Sequence, residues 1–156
     1  MNLRTRLSRS NGYREFGMYD ESILILEDIP FDEERWHPLV VEARYNTYRD
    51  AKEWTHEMIM AKLKHESKPS SLEWLLNYAD GRHQMGDTEK AIGCLQDAEG
   101  RFGEEAEYLF RLAKYHAILG NVEEAKKLVR RVFKLNGSFK ADFLDDPAFD
   151  SVWESF

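Results

Sequence analysis

The sequence has one cysteine, four prolines and no long apolar run. The single cysteine and the lack of an apolar run each exclude a class of protein. Because Cys94 stands alone, an intrachain disulfide cannot form, which fits a reducing compartment. No apolar stretch approaches the ~20 residues that a membrane-spanning helix requires, and the N-terminus lacks the apolar stretch of a secretory signal. We therefore expect a cytoplasmic protein without a membrane span.

Basic residues are in the minority. Lysine and arginine number 22 against 29 aspartate and glutamate residues, which gives a formal net charge of −7. Nucleic-acid binding depends on a basic surface that neutralises phosphates, so we expect no nucleic-acid partner. The chain of 156 residues, 42% hydrophobic and 33% charged, is sufficient for a single domain with a core.

Basic charge is concentrated at the N-terminus, where the first 14 residues contain four arginines and no acid. One interpretation is a segment for organelle targeting or for binding anionic lipid. The other is the polar face of a first helix. We favour the second, because beyond the initial methionine only Leu3 and Leu7 are sizeable apolar residues before Tyr13. The four basic residues are Arg4, Arg6, Arg9 and Arg14.

The strongest pattern is a repeat of small residues at one period. The stretch LLNYADGRHQMGDTEKAIGCLQDAE starts at residue 75, and LFRLAKYHAILGNVEEAKKLVRRVF starts at residue 109. Gly86 and Gly120 are therefore 34 residues apart. Two pairs of alanines share this spacing: Ala79 with Ala113, and Ala91 with Ala125. Stacked helix pairs would need small residues at the same close approach in each unit, which accounts for the period.

Helix boundaries follow from the same count. Counting back 34 residues from Gly86 reaches Lys52, and 35 more reach Gly17. Because glycine tolerates the left-handed backbone that ends a helix, we expect a boundary at each place. Asp87 and Asn121 are the expected caps of the helices that follow the last two glycines. Ser70 with Glu73 is predicted to open another helix just after Pro69.

Apolar residues between these boundaries follow the helical i, i+3, i+4, i+7 spacing, as Leu72, Leu75, Leu76 and Ala79 do. Sustained alternation with period two, which would indicate strands, does not occur. The sequence predicts an all-α fold with helices near 4–15, 18–29, 36–50, 52–66, 71–85, 88–101, 105–119 and 122–135.

Large apolar residues complete the predicted packing. Tyr45, Tyr48 and Trp54 are expected to fill space that small residues leave open elsewhere. Trp36 and Trp54 are expected in the core or as wedges between units. A cap over the end of the stack is predicted at the C-terminus, since an uncapped solenoid would expose apolar surface. Its apolar residues are Phe143, Leu144, Phe149, Val152 and Trp153.

The framework of small residue, glycine and alanine resembles the tetratricopeptide repeat, a helix–turn–helix unit of 34 residues. The match is strongest over 72–137 and weakest over 38–71, where Tyr45, Lys52 and Glu57 replace the framework residues. The resemblance implies a right-handed α-α superhelix of about four helix pairs in a single domain, 1–156. Its units would span 3–36, 38–71, 72–105 and 106–139, followed by a cap at 140–156.

The whole chain is also similar to small, mostly uncharacterised bacterial proteins with four such repeats. The shared stretches are PLVVEARYNTYRDAKEW, LFRLAKYHAILG and FLDDPAFDSVW. This resemblance implies a non-catalytic protein–protein interaction module, an adaptor or scaffold, that binds a partner segment in a concave groove.

Several repeat proteins of this kind bind an acidic C-terminal peptide through a clamp of two lysines, two asparagines and an arginine. The matching positions here hold Glu42, Asn46, Asn77, Glu107 and Arg111, so glutamates replace both lysines. Because glutamates repel carboxylates, we predict a protein or peptide partner that is neutral or basic. The alternative is that these residues are only solvated surface. The full predicted groove comprises Glu42, Asn46, Arg49, Trp74, Asn77, His83, Glu107, Phe110, Arg111 and Lys114.

Enzymatic and metal-binding residues are scarce. His56 and His65 are nine residues apart and face opposite sides of a helix, so they cannot converge on zinc. His83 and His116 lie on equivalent helices, and a paired metal or proton site there is an alternative reading. Cys94 is expected to be a buried structural thiol. We predict no enzyme activity, no metal and no cofactor.

Acidic runs and possible contacts with a second copy complete the sequence analysis. The acidic runs Asp32–Glu34, Glu104–Glu105 and Asp145–Asp146 are expected in loops or first helical turns, where solvation and the helix dipole favour acids. The N-terminal helix or the aromatic cap could instead meet a second copy, which would make the protein a self-associating scaffold and a homo-oligomer.

Overall fold

Helices joined by short connections make up the computed structural model, which describes residues 1–30 and 35–156. These residues contain no strand, so the all-α prediction is confirmed within them. The predicted helix ends agree with the structure to within two residues, except that the sixth helix breaks at Asp97 and Ala98. The acidic run Asp32–Glu34 lies outside the described residues. The helices are α1 Leu3–Glu15, α2 Tyr19–Glu27, α3 Pro38–Asp50, α4 Trp54–Ser67, α5 Leu72–Gln84, α6 Thr88–Gln96, α7 Glu99–Phe102, α8 Ala106–Ile118, α9 Val122–Leu135, α10 Lys140–Asp145 and α11 Asp150–Trp153.

The predicted boundaries all have left-handed backbone. Gly17, Gly86 and Gly120 have φ of 73°, 84° and 77°. Lys52 stands at the equivalent place with φ of 59°, a conformation that costs a residue with a Cβ more than it costs glycine. The count of 34 residues therefore located the turn even where glycine is absent.

Two predicted caps have the expected positions without the expected hydrogen bonds. Asp87 and Asn121 occupy the N-cap positions of α6 and α9, but neither side chain accepts a backbone hydrogen bond there. The Asp87 carboxylate lies 3.2 Å from Lys90 Nζ, and Asn121 Nδ2 lies 3.3 Å from His116 Nδ1. Before α5, Ser71 Oγ rather than the predicted Ser70 accepts a hydrogen bond, from the Trp74 N–H at 3.4 Å.

Two compact units divide the described chain, the N-terminal unit Met1–Gly81 and the C-terminal unit Arg82–Phe156. In the N-terminal unit α1 packs on α2 and α3 on α4. A buried polar seam joins three of these helices, because Ser10 Oγ lies 2.8 Å from Ser22 Oγ, which lies 3.2 Å from Thr47 Oγ1. The fully buried apolar side chains include Leu26, Ile29, Val40, Ala61, Leu75 and Ala79.

Helix α5 approaches α4 closely at Gly81. A Cβ added to Gly81 would lie 2.8 Å from Met58 Cβ, so only glycine fits this helix crossing without a shift. The Asp80–Gly81 pair therefore serves helix packing within α5 and does not form a hairpin turn.

In the C-terminal unit α8 packs on α9 and on α6. Ala91, Ala113 and Ala125 have no exposed surface, as the repeat predicts for residues at a close approach. Phe143, Phe149 and Val152 of the chain's last segment are also fully buried. Trp153 is half-buried, and its Nε1 donates to the Phe143 carbonyl at 2.9 Å.

Four predictions about apolar residues were wrong in whole or in part. Leu144 is 66% exposed, because it is turned about 100° around α10 from the buried Phe143. Trp54 is 39% exposed, since it is the first residue of α4 and no earlier turn of that helix lies beneath its side chain. Trp36 is 52% exposed, and the Arg44 guanidinium lies 5.9 Å from its ring centre. Cys94 is half-buried rather than buried.

Candidate functional site

Helix α3 carries three of the predicted groove residues in the N-terminal unit. Glu42 and Asn46 line a cavity of about 210 Å³ together with residues of α1 that include Asn11. Arg49 is exposed, and its guanidinium lies 5.6 Å from the ring centre of Tyr45. The cavity thus offers two amides, a carboxylate and the cation of Arg14.

The carboxylate of Glu42 is partly neutralised within this unit. Its Oε2 lies 3.5 Å from Nζ of Lys64, a buried lysine that also donates to the Pro38 carbonyl at 3.4 Å. The negative charge of Glu42, at a place where the resembled clamp has lysine, is therefore partly offset by Lys64 of α4.

Helix α5 carries Trp74 and Asn77, and the structure places Trp74 in the packing rather than in an open groove. Its side chain is only 7% exposed, since its ring makes an edge contact with Tyr45 at 4.9 Å between centres. The Lys64 ammonium lies 5.1 Å from the same ring. Trp74 is therefore a core residue, whereas Asn77 is half-buried and retains some exposed surface.

Helix α8 and the chain after α9 line a larger, open groove in the C-terminal unit, of about 530 Å³. We call it the α8 groove. Its apolar floor is centred on Phe110, whose ring centre lies 5.4 Å from that of Phe139, 4.6 Å from that of Phe143 and 5.6 Å from that of Phe149. The lining consists of Glu107, Phe110, Arg111, Phe139, Asp142, Asp145, Asp146 and Pro147.

Carboxylates outnumber cations around this groove. Asp146 accepts from Lys114 Nζ at 2.6 Å and from the Ala148 N–H at 3.0 Å. Burial alone would raise the pKa of Asp146, but these hydrogen bonds and the charges of Lys114 and Arg111 outweigh it and lower that pKa. The remaining three carboxylates are exposed and make no ion pair with any described residue: Glu107, Asp142 and Asp145.

The structure gives His83 and His116 separate partners. His83 Nδ1 lies 2.9 Å from Thr88 Oγ1, and its ring lies 5.2 Å from that of Tyr115. His116 Nδ1 lies 3.3 Å from Asn121 Nδ2, and burial lowers the pKa of His116. Over residues 1–30 and 35–156, no group of three or more His, Cys, Asp and Glu side chains is placed to hold a metal ion.

His56 and His65 also lie in separate surroundings on α4. The ring of His56 stacks on Tyr48 at 4.9 Å, and that of His65 stacks on Tyr78 at 6.1 Å. Neither ring therefore contributes to a shared site.

Two of the four N-terminal arginines form ion pairs within their own unit. Arg6 lies 2.6 Å from Asp28, and Arg14 lies 2.7 Å from Asp50. These contacts favour the interpretation of α1 as a helix with a basic polar face. None of the helices in the described residues is both long and apolar enough to cross a bilayer.

Part of the α8 groove was not predicted from the sequence. Asp142, Asp145 and Pro147 follow α9, in a segment that the sequence indicated only as a cover for the core. The stretch FKADFLDDP holds the missed signal, because the exposed acids Asp142 and Asp145 flank the buried Phe143.

Helix pairs closed by a residue with left-handed backbone, packed through buried alanines, define the fold of tetratricopeptide-repeat proteins. The solved structures bear this out. MamA MSR-1 C2 matches 88% of this chain and 79% of its own length, with 18% identity and a TM-score of 0.70. YrrB, described as a TPR protein with an unusual peptide-binding site, matches 94% and 72%, with 12% identity and a TM-score of 0.64.

A third similar structure is a putative kinesin light chain of Podosopora anserina with nearly identical TPR-like repeats. It matches 94% of this chain and 79% of its own length, with 15% identity and a TM-score of 0.61. No protein-family model and no curated protein matches the sequence. At these identities the likeness establishes the fold, and the function has to be argued from this chain's own residues.

Proposed function

We propose that the protein is a non-catalytic interaction module, an adaptor or scaffold, that binds an extended neutral or basic segment of a partner protein. The observation that carries this proposal is the α8 groove. Three residues predicted to contact a partner, Glu107, Phe110 and Arg111, line that one cavity over a packed aromatic floor. Aromatic residues in a groove with polar residues at its rim are common anchors for partner segments.

A second cavity, in the N-terminal unit, supports the same proposal. Glu42 and Asn46 line a cavity there, and Asn77 is half-buried on α5. Amide side chains can hydrogen-bond the backbone of an extended peptide in either direction, because each has both donors and an acceptor. YrrB, which shares the fold, is described as having a peptide-binding site.

A non-catalytic role agrees with the separate placement of the two histidines that the sequence offered for chemistry. General acid–base or metal chemistry needs groups that converge on one reacting atom. His83 is held by Thr88 and Tyr115, whereas His116 is held by Asn121.

Peptide display on the purified protein tests this proposal. Peptides of about 12 residues selected by the wild type are measured against the triple variant Asn46→Ala, Asn77→Ala, Arg111→Ala. The matched control is Gln84→Ala, Gln96→Ala, Lys134→Ala, which removes two amides and one cation at exposed positions. We expect selected peptides to lose affinity for the first variant only.

Two results would refute the proposal. One is a selection that yields no binding peptide. The other is a set in which only peptides ending in aspartate or glutamate bind, because the excess of carboxylates in the α8 groove disfavours such ligands.

A second candidate function rests on apolar surface in the N-terminal unit. Phe16 is 84% exposed and lines a cavity of about 270 Å³ with Tyr13 and Met18. Exposed apolar patches on soluble proteins often mark protein contacts, so a self-associating scaffold is the alternative. Light scattering over a concentration series, with Phe16→Ser as the variant, distinguishes the two: a concentration-dependent mass that the variant abolishes favours self-association.

A further inference from the structure

The α8 groove combines an aromatic floor with rim carboxylates that pair with no described cation, and part of that rim belongs to the segment after α9. We infer that the groove binds an arginine side chain of the partner segment, with the C-terminal segment supplying the residues that select it. This inference rests on the proposed function and names the chemistry that the site recognises.

The floor of the groove is held in place by its neighbours. Phe110 is half-buried, and three other phenylalanine rings lie within 5.6 Å of its ring centre. A ring fixed in this way offers its remaining surface without a large loss of rotamer entropy on binding. The planar guanidinium of arginine stacks on such aromatic surfaces better than the compact ammonium of lysine does.

The rim determines the sign of the charge that the groove accepts. Its lining has four carboxylates and one cation, Arg111. Lys114 neutralises only one of the four, Asp146. Glu107, Asp142 and Asp145 are exposed and make no ion pair with any other residue that the structure describes. Charge complementarity therefore favours a cationic side chain and disfavours an acidic one.

The size of the groove fits a single segment. A cavity of about 530 Å³ falls within the 300–1,000 Å³ that is typical of sites for small ligands. A groove of this volume holds one long side chain with its flanking backbone. The partner is accordingly an exposed, extended stretch that contains arginine.

Two of the three free carboxylates, Asp142 and Asp145, lie on α10, and Glu107 lies on α8. Helix α10 is fixed to the core through Phe143, which is fully buried. The C-terminal segment thus has two roles: its aromatic residues close the core, and its acidic residues form half of a binding site.

Fluorescence anisotropy with a labelled peptide GSRGSRGSRG tests the inference on the full chain. The comparison peptide replaces arginine by citrulline, which keeps the shape of the side chain and removes its charge. The test variant is Glu107→Gln, Asp142→Asn, Asp145→Asn. The matched control, Glu89→Gln, Asp20→Asn, Asp97→Asn, removes the same charges at exposed positions outside the groove.

We expect the test variant to bind the arginine peptide about tenfold more weakly than the wild type, and the control variant to stay within about twofold. The citrulline peptide should bind the wild type about tenfold more weakly as well. Phe110→Leu, checked by thermal melting for a retained fold, should weaken arginine binding several-fold, because leucine lacks the aromatic face.

Three results would overturn the inference. These are equal affinity for the arginine and citrulline peptides, equal weakening by the test and control variants, and no binding of the arginine peptide up to about 1 mM. The proposed function stands apart from these results. If displayed peptides still lose affinity for the Asn46, Asn77 and Arg111 variant, the protein binds segments, but arginine is not what the α8 groove selects.

Discussion

Lys114 Nζ lies 2.6 Å from Asp146 Oδ2, and this contact joins α8 to the segment that completes the α8 groove. The Asp146 carboxylate also accepts the backbone N–H of Ala148 at 3.0 Å, at the start of a 3₁₀ turn. One carboxylate therefore fixes the chain where it turns from α10 towards α11. Stability and groove geometry depend on the same side chain.

The free energy of unfolding should depend on pH through Asp146. Its pKa is lowered in the folded protein, so its contribution is full above the unfolded pKa of about 3.9 and is lost as pH falls through the folded value. Asp146→Asn should cost about 1–2 kcal/mol at pH 7, and the difference from wild type should shrink below about pH 4. Urea unfolding at pH 7 and below about pH 4 measures this difference in stability, with the exposed Asp145→Asn as control. A difference that does not change with pH would contradict the assignment.

Gly81→Ala should destabilise the protein by about 1–3 kcal/mol, although alanine has the higher helix propensity. The added Cβ would lie 2.8 Å from Met58 Cβ and 3.1 Å from Met58 Cα, so α4 and α5 would have to separate. Gly93→Ala in α6 is the matched control, since nothing lies within 4 Å of its added Cβ. That control should gain about 0.5–1 kcal/mol. Equal effects of the two substitutions in thermal or urea unfolding would refute the close helix contact.

Lys52→Gly should stabilise the protein by up to about 1 kcal/mol, because glycine adopts φ of 59° without the steric cost of a Cβ. Gly120→Ala, at φ of 77°, should destabilise it by about 1 kcal/mol for the same reason. Lys52→Ala is the control and should be close to neutral, since alanine keeps the Cβ. Urea midpoints measure all three. A loss of stability in Lys52→Gly would mean that the lysine side chain, rather than the backbone, matters at this turn.

Ala91→Leu and Ala125→Leu should each cost about 1–3 kcal/mol, because both alanines are fully buried and the larger side chain must displace its neighbours. Ala141→Leu is the control, since Ala141 is exposed on α10. Melting curves of the three variants are compared with wild type. Unchanged curves for the two buried positions would show that the alanines do not lie where the helices meet.

Helix positions could be predicted from the sequence because their signals are local. The apolar spacing and the residue at each turn determine the helix ends, and this held even for Lys52, which lacks the usual glycine. The break at Asp97 and Ala98 carries neither glycine nor proline, so no local signal marked it. The division into four repeat units of one domain stays a prediction.

The candidate site was predictable only in part, because side-chain surroundings depend on residues distant in sequence. Glu107, Phe110 and Arg111 line one cavity, the α8 groove, as binding of a partner there requires. Trp74 lies in the core instead, since Tyr45 and Lys64 from two other helices cover its ring. Spacing along one helix could not reveal either neighbour.

A pull-down from cells of the native host, with the partner identified by mass spectrometry, tests the central claim most directly. Two baits are compared, the wild type and the Asn46→Ala, Asn77→Ala, Arg111→Ala variant. Melting curves show that both are folded. We predict that the wild type captures a protein with an exposed neutral or basic segment, and that the variant loses it. A partner retained equally by both baits, or no partner with either, would contradict the claim that this protein binds a segment through its groove residues.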